Sequence, residues 1–210
     1  MPGSIALVGS GEYLPAMAGL EKSLIDDALA LGKKPTYIQI PTAAGRESQD
    51  RLDYWRALGK AQADKLGVEQ IFLPIYNREG ALNPVLADLI NDSALIYLSG
   101  GDPHHLAESL RDTPVWQSIV KNWKAGSSLA GCSAGAMVLS AHVPNFRMLK
   151  RRGECVVDAL RLWYEFGTKT TLCPRVADDI GQEHPQQQQP FHVRQRFWLL
   201  PARLLQPRVH

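Results

Sequence analysis

The chain has 210 residues, of which 45% are hydrophobic and 21% are charged, as is typical of a globular protein. The length suits one α/β domain, and a formal net charge of +2 gives no reason to expect a nucleic acid or a membrane surface as partner. The N-terminus lacks a basic segment followed by a long apolar stretch, so we expect a cytoplasmic protein. The three cysteines are odd in number and scattered, which favours free thiols and matches no metal-ligand spacing.

Short apolar runs alternate with longer helical patterns up to about residue 143. This alternation predicts a three-layer, doubly wound α/β fold with a mostly parallel sheet. The predicted strands lie at residues 5–8, 36–40, 68–73, 94–98 and 128–131. The predicted helices lie at residues 14–31, 48–66 and 83–89 and in a helical region that ends at residue 124. Past about residue 160 the alternation fails, and residues 162–167 fit a short strand or a short helix.

Four turns leave these strands at their carboxyl ends. They hold residues 9–12, residues 41–43, residues 100–102 and Ser133. In sheets of this kind, ligands bind beyond the carboxyl ends of the strands. We therefore expect the four turns to line one common site, with Glu12 among the residues that bind substrate.

The segment at residues 131–135 reads Gly-Cys-Ser-Ala-Gly and follows a short apolar strand. A strand-to-helix turn of this composition exposes its central serine, here Ser133, beside backbone amides, and predicts a nucleophile elbow. The alternative is a turn of small residues with no chemistry. Cys132 is a rival nucleophile because thiols ionise more readily than hydroxyls, but its place beside the tip predicts a small buried residue. The amide of Ala134 is the natural first oxyanion donor.

Gly100 and Gly101 end the fourth predicted strand. Glycine lets backbone amides approach a ligand closely, so this pair suits the second oxyanion donor, although a tight turn is the alternative. We place Gly100, Asp102 and His105 among the substrate-binding residues, and His104 and His105 also suit a cap for the next helix. A metal site here is disfavoured because the side chains of adjacent histidines diverge.

Three segments together resemble a known family. Ala-Leu-Val-Gly-Ser-Gly-Glu at residues 6–12, Ser-Gly-Gly-Asp at 99–102 and Gly-Cys-Ser-Ala-Gly-Ala at 131–136 are similar to the peptidase E and cyanophycinase family of serine peptidases. The likeness covers about residues 4–160 and implies the class I glutamine amidotransferase-like fold. It also implies hydrolysis of peptide bonds next to acidic residues, as in aspartyl dipeptides or aspartate-rich polymers. Ser133 is then the nucleophile, the amides of Gly101 and Ala134 are the oxyanion donors, and no cofactor is needed.

The chain departs from this family in the region where the catalytic histidine is expected. Family members carry it in a later strand that reads like Pro-His-Phe-Asp, but the corresponding residues, about 170–179, include no histidine. His142 lies at the far end of the elbow helix, too distant to touch the Ser133 hydroxyl. His184 and His192 remain as candidates for the base, and both lie in an unusual tail.

That tail differs from the rest of the chain in composition. From residue 184 onward it holds six Gln, four Pro and four Arg and no acidic residue. We predict an α/β domain at residues 1–160 and an atypical C-terminal tail at 161–210, which arises from a shifted reading frame or a recombined terminus. Within the tail, residues 186–189 suit an extended or disordered linker, and residues 197–200 a short segment that docks on the core or on a partner.

The first hypothesis is thus a cytoplasmic serine peptidase of the peptidase E type that acts in proteolysis of a small peptide substrate. The second is a catalytically impaired relative that binds an acidic peptide or a protein partner. An ordinary α/β-hydrolase esterase is disfavoured, because only 77 residues follow Ser133, which leaves little room for its acid and histidine. The predicted partners include neither a nucleic acid nor a membrane, and assembly into a homodimer is left open.

Overall fold

The computed structural model describes residues 1–140 in full and, beyond them, the backbone of three short strands at residues 143–144, 157–158 and 197–200. The strands are β1 (Ile5–Val8), β2 (Lys34–Ile40), β3 (Glu69–Phe72), β4 (Ser93–Leu98), β5 (Ser128–Cys132), β6 (Val143–Pro144), β7 (Val157–Asp158) and β8 (Phe197–Leu200). The α-helices are α1 (Ala18–Ala30), α2 (Gln49–Leu66), α3 (Arg78–Ala81), α4 (Pro84–Asp88), α5 (Pro103–Leu110), α6 (Pro114–Lys124) and α7 (Ala134–Val138). Short 3-10 helices at Pro15–Met17 and Thr42–Ala44 complete the described part.

The central sheet has the strand order β3-β2-β4-β5-β1-β8. The first five strands in that order pair in parallel, and β8 pairs antiparallel with β1 at one edge. Strands β6 and β7 form a separate antiparallel pair. This topology confirms the predicted α/β fold with a mostly parallel sheet. The pairing of β8 places residues 197–200 on the core, which is one of the two predicted alternatives.

Helices cover both faces of the sheet, and side chains that alternate along each strand pack into two hydrophobic clusters. On one face Tyr37 and Tyr97 pack with residues of α1 and α2, such as Leu24. On the other face Ile38 and Ile96 pack with residues of helices α3 to α7. Strand β4 is buried at every position because it lies between these two layers. Complete burial of one large apolar side chain contributes about 1.5–3 kcal/mol to stability.

The helix ends follow the local sequence. The Asn83 side chain accepts a hydrogen bond from the Val85 amide at 2.9 Å and caps α4, as predicted for Asn before Pro. The predicted helix at 14–31 begins with a 3-10 turn, and its α-helical part starts at residue 18. The helical region that ends at residue 124 consists of two helices, because the Thr113 side chain caps a second one by accepting from the Trp116 amide.

Several predictions concern residues outside the described part of the chain. The segment at 162–167, the linker at 186–189 and the domain boundary after residue 160 belong to this group, and so do His142, His184 and His192. Among the helices that the structure describes, none is long and apolar enough to cross a membrane.

Candidate active site

Three neighbouring parallel strands, β4, β5 and β1, end at the same edge of the sheet, and the turns that leave them meet there. The register pairs Leu98 of β4 with Gly131 of β5, and Val8 of β1 with Cys132 of β5. The amide of Ser133 extends this pairing by donating to the Val8 carbonyl at 2.8 Å. The turn that carries Ser133 is therefore flanked by the loop after β1 and the loop after β4.

Ser133 has an unusual backbone conformation, with φ +50° and ψ −110°. A non-glycine residue in such a sparsely populated region costs about 1–3 kcal/mol, and strain of this kind is characteristic of functional sites. The residue is half-buried, whereas Cys132 before it and Ala134 after it are buried. The Ser133 carbonyl accepts from the Met137 amide at 3.0 Å, so helix α7 starts directly after it. This is the geometry of the predicted nucleophile elbow.

Close packing explains why glycines flank the elbow. A Cβ atom on Gly131 would lie 2.4 Å from the carbonyl carbon of Gly135. A Cβ atom on Gly135 would lie 2.1 Å from the Leu98 carbonyl oxygen. Only glycine lets strand β5 turn back this tightly onto α7 and lets α7 lie against β4.

The rival nucleophile, Cys132, belongs to the hydrophobic core. Its side chain is buried in the hydrophobic cluster that also contains Tyr97 and Val8. Burial is the largest influence on this thiol and, with the nearby Glu12 carboxyl, raises the pKa of Cys132 to about 12. A thiol that ionises so reluctantly is a poor nucleophile at neutral pH, in agreement with the predicted small buried residue.

The glycine loop after β4 is held by the loop after β2. Gly101 has φ +141°, and a Cβ atom there would lie 2.4 Å from the Ala43 carbonyl oxygen, so this position requires glycine. The next amide, that of Asp102, donates to the same carbonyl at 2.9 Å. A Cβ atom on Gly100 would lie 3.4 Å from the Cβ of Ser133, so the glycine loop touches the elbow.

Glu12 connects the loop after β1 to the glycine loop. Its Oε2 atom accepts a hydrogen bond from the Gly100 amide at 3.0 Å. Burial raises the pKa of this carboxyl, and hydrogen bonds from the Gly100 amide, Ser99 and Tyr13 lower it. The turns at residues 9–12, 41–43 and 100–102 and the elbow thus lie together, as the strand order predicts.

Comparison with known proteins identifies the family of this fold and site. The family model of peptidase family S51 matches residues 5–196. The chain belongs to peptidase family S51. The matched range extends past residue 160, where the sequence resemblance ended, and the predicted boundary there stays a prediction.

Solved structures agree with the S51 assignment. The crystal structure of a peptidase from an acI-B1 Actinobacterium matches with 64% sequence identity and a TM-score of 0.69. That match covers 70% of this chain and 61% of the actinobacterial chain, so this chain spans less than two thirds of its relative's length. A protein from Listeria monocytogenes EGD-e with a provisional peptidase E name matches with 22% identity and a TM-score of 0.53, over 77% of this chain and 76% of that one. At this identity the likeness shows the fold alone. No curated protein gives a significant sequence match.

Asp102, next to the S51 glycine loop, caps helix α5. Its Oδ1 atom accepts hydrogen bonds from the amides of His104 and His105 at 2.9 and 3.0 Å. His105 is buried, with Nε2 2.8 Å from the Tyr76 carbonyl oxygen. The Nδ1 atom of His104 lies 3.2 Å from a Glu108 carboxylate oxygen. Asp102, rather than either histidine, supplies the cap, and roles for Asp102 and His105 in substrate binding stay predictions.

Sequence reasoning missed several side chains around this edge. Arg46 lies 3.7 Å from the Asp102 carboxylate and is half exposed. Tyr13, Ser99 and Gln39 form a buried hydrogen-bonded chain behind Glu12. Ser99 lies within a sequence motif and Tyr13 directly follows one, but Arg46 and Gln39 carry no local signal, because only the folded sheet brings them to the site. Within residues 1–140, no group of three His, Cys, Asp or Glu side chains is placed to hold a metal ion.

Proposed function

We propose that this chain is a serine-type peptidase that hydrolyses small peptides at acidic, aspartyl residues, with Ser133 as the nucleophile. One observation carries the proposal, namely the strained, half-buried Ser133 at the tip of the turn between β5 and α7. Membership of peptidase family S51 supports the reaction class. A cytoplasmic location, with neither a nucleic acid nor a membrane as partner, belongs to the same proposal and rests on composition.

In the proposed reaction, the Ser133 hydroxyl oxygen attacks the carbonyl carbon of the scissile peptide bond while its proton passes to a base. The carbonyl oxygen of the tetrahedral intermediate accepts hydrogen bonds from the amides of Gly101 and Ala134. The intermediate collapses, the amine leaves with a proton, and water hydrolyses the acyl-enzyme to regenerate the hydroxyl. This sequence needs no cofactor.

The base is proposed to come from outside residues 1–140. Both ring nitrogens of the buried His105 already face protein partners, Nε2 the Tyr76 carbonyl and Nδ1 the Ser109 hydroxyl at 3.5 Å. His184 and His192 remain the candidates from the sequence. If neither serves, the chain is the catalytically impaired relative that binds an acidic peptide or a protein partner.

A cation beside the glycine loop supports the acidic preference. Arg46 follows the 3-10 turn after β2 and lies near the carboxylate of Asp102, the residue next to Gly101. Its half-exposed guanidinium is suited to pair with a second carboxylate, that of the substrate, because it offers several donors in a planar fork. Gly100, Asp102, His105 and Glu12 complete the proposed surroundings of the peptide.

The test is hydrolysis of an aspartyl dipeptide by the full chain and by two variants with substitutions at the neighbouring positions 132 and 133. We expect the wild-type chain and Cys132→Ala to hydrolyse it, and Ser133→Ala to lose activity by several orders of magnitude. Hydrolysis that survives Ser133→Ala contradicts the assignment of the nucleophile. A folded wild-type chain that binds the dipeptide without hydrolysing it identifies the impaired relative instead.

A further inference from the structure

Glu12 reaches across the end of strand β5. It lies in the loop after β1, and its carboxylate accepts the Gly100 amide from the loop after β4 at 3.0 Å. In the sheet, β5 lies between β1 and β4, so this one side chain joins the two loops that flank the elbow. The hydrogen bond links residues 88 positions apart and ties together two loops whose strands are paired only through β5.

The same contact orients the peptide beside the nucleophile. A Cβ atom on Gly100 would lie 3.1 Å from Glu12 Oε2 and 3.4 Å from the Cβ of Ser133, so the carboxyl and the serine both lie close to this glycine. The amides on both sides of Gly101 are occupied, that of Gly100 by Glu12 and that of Asp102 by the Ala43 carbonyl. These two bonds hold the peptides on either side of the one that contains the Gly101 amide.

Buried side chains next to Glu12 form a chain of hydrogen bonds. Gln39 Nε2 donates to the Tyr13 hydroxyl at 2.6 Å, and the Tyr13 hydroxyl lies 3.0 Å from Ser99 Oγ. The Tyr13 hydroxyl accepts from Gln39, and either hydroxyl can donate in its bond with Ser99. Gln39 is itself anchored, with Nε2 donating to the Trp55 carbonyl and Oε1 accepting from Gln70 Nε2. The chain therefore fixes Tyr13, the residue after Glu12, and Ser99, the residue before Gly100.

We propose that Glu12 is a positioning residue, which holds the Gly100–Gly101 peptide so that the Gly101 amide faces the carbonyl attacked by Ser133. This inference rests on the proposed function, and it gives Glu12 a role through the oxyanion donor rather than through direct contact with substrate. The carboxylate is suited to the role because it accepts from the Gly100 amide, and a charged acceptor binds an amide more strongly than a neutral side chain of the same size does.

Two readouts test the positioning role in Glu12→Ala and Glu12→Gln. With aspartyl p-nitroanilide as substrate, we expect Glu12→Ala to lower kcat about 100-fold, the effect of a misplaced oxyanion donor, with KM changed less than about threefold. Glu12→Gln keeps an oxygen that accepts from Gly100, so it should recover at least about a tenth of the wild-type kcat. In amide hydrogen exchange by NMR, the Gly100 amide should be protected in the wild type and in Glu12→Gln, and exposed in Glu12→Ala.

Glu21→Gln is the matched control. Glu21 is a buried carboxyl in helix α1, bonded to Gln62 rather than to a loop of the site. Its variant should keep the wild-type kcat. A rise in KM alone for Glu12→Ala would place Glu12 in contact with substrate and overturn the inference. Unchanged protection of the Gly100 amide in Glu12→Ala would also overturn it. A wild-type chain that does not hydrolyse the anilide contradicts the proposed function, while the exchange experiment still decides the role of Glu12.

Discussion

Single residues at the elbow are explained by the contacts they make. Ser133 adopts φ +50° because strand and helix meet there within one residue, and the amide bond to Val8 holds it in place. Cys132 and Ser133 are neighbours in sequence, yet Cys132 is buried among apolar side chains, whereas Ser133 is half-buried at the edge of the sheet where the loops meet. The difference between an inert thiol and a candidate nucleophile therefore comes from the turn, not from the intrinsic acidity of the side chains.

Gly135→Ala should destabilise the protein. The added methyl group would meet the Leu98 carbonyl oxygen at 2.1 Å, so strand β4 and helix α7 must move apart. We expect a loss of about 1–3 kcal/mol in the free energy of unfolding, measured by urea denaturation. Gly19→Ala is the control, because nothing lies within 4 Å of a Cβ atom there. Equal urea midpoints for the two variants would contradict the packing described for the elbow.

Arg46→Gln should weaken recognition of acidic substrates. The guanidinium is half exposed, and exposed ion pairs are worth about 0.2–1 kcal/mol, so we expect KM for an aspartyl dipeptide to rise about 1.4- to fivefold. The increase should shrink in high salt, which screens exposed charges. Arg51→Gln, in helix α2, is the control and should leave KM unchanged. No change in KM for Arg46→Gln would remove Arg46 from substrate recognition.

At the scale of elements, the sheet was predictable and the contacts between loops were not. Each parallel strand appears in the sequence as a short apolar run, because helices cover both faces, and β4 is the clearest case. The turns at the carboxyl ends follow from the strand order. The bond from Glu12 to Gly100 could not be predicted, because it depends on which strands are neighbours and not on any local pattern.

Helices α1 and α2 are joined by a buried polar pair that should make stability depend on pH. Glu21 accepts from Gln62 at 2.9 Å, and burial raises the pKa of Glu21 from its ordinary 4.5 to about 7. The native state then holds this proton more tightly than the unfolded chain does. The free energy of unfolding therefore falls as pH rises from about 4.5 to about 7, by up to about 3 kcal/mol from this group.

Glu21→Gln removes that titration. Relative to the wild type, the variant should gain stability between pH 5 and pH 8, as measured by urea denaturation at both values. Glu69→Gln, at an exposed position, is the control for the loss of one charge. The variant and the wild type differ in their free energy of unfolding. If that difference is the same at pH 5 and at pH 8, it contradicts the burial of this carboxyl between α1 and α2.

For the whole molecule, residues 1–140 contain the five parallel strands and the part of the proposed catalytic site that the structure describes. The elbow, the glycine loop and the hydrogen bond from the Gly100 amide to Glu12 all lie in this part of the chain. The S51 family model continues to residue 196, whereas the 64% identical actinobacterial match covers 70% of this chain. We propose that the base comes from the remaining part, where the sequence shows a shift in composition and two candidate histidines.

The coding DNA tests the origin of the C-terminal segment. If the segment from about residue 161 arises from a shifted reading frame, translating the coding DNA in the other frames should restore a Pro-His-Phe-like stretch. A restored chain should hydrolyse an aspartyl dipeptide faster than the present one, because it regains the family's histidine. If no frame yields such a stretch, a shifted reading frame does not explain the segment, and its own histidines must be tested individually.

The central claim is that Ser133 is an activated nucleophile, and covalent labelling tests it most directly. The full chain is treated with a fluorophosphonate, and the modified residue is located by mass spectrometry of its peptides. We predict one adduct, on Ser133, in the wild type and in Cys132→Ala, and none in Ser133→Ala. A folded wild-type chain that gains no adduct at Ser133, or one that is labelled at Cys132 instead, would contradict the account.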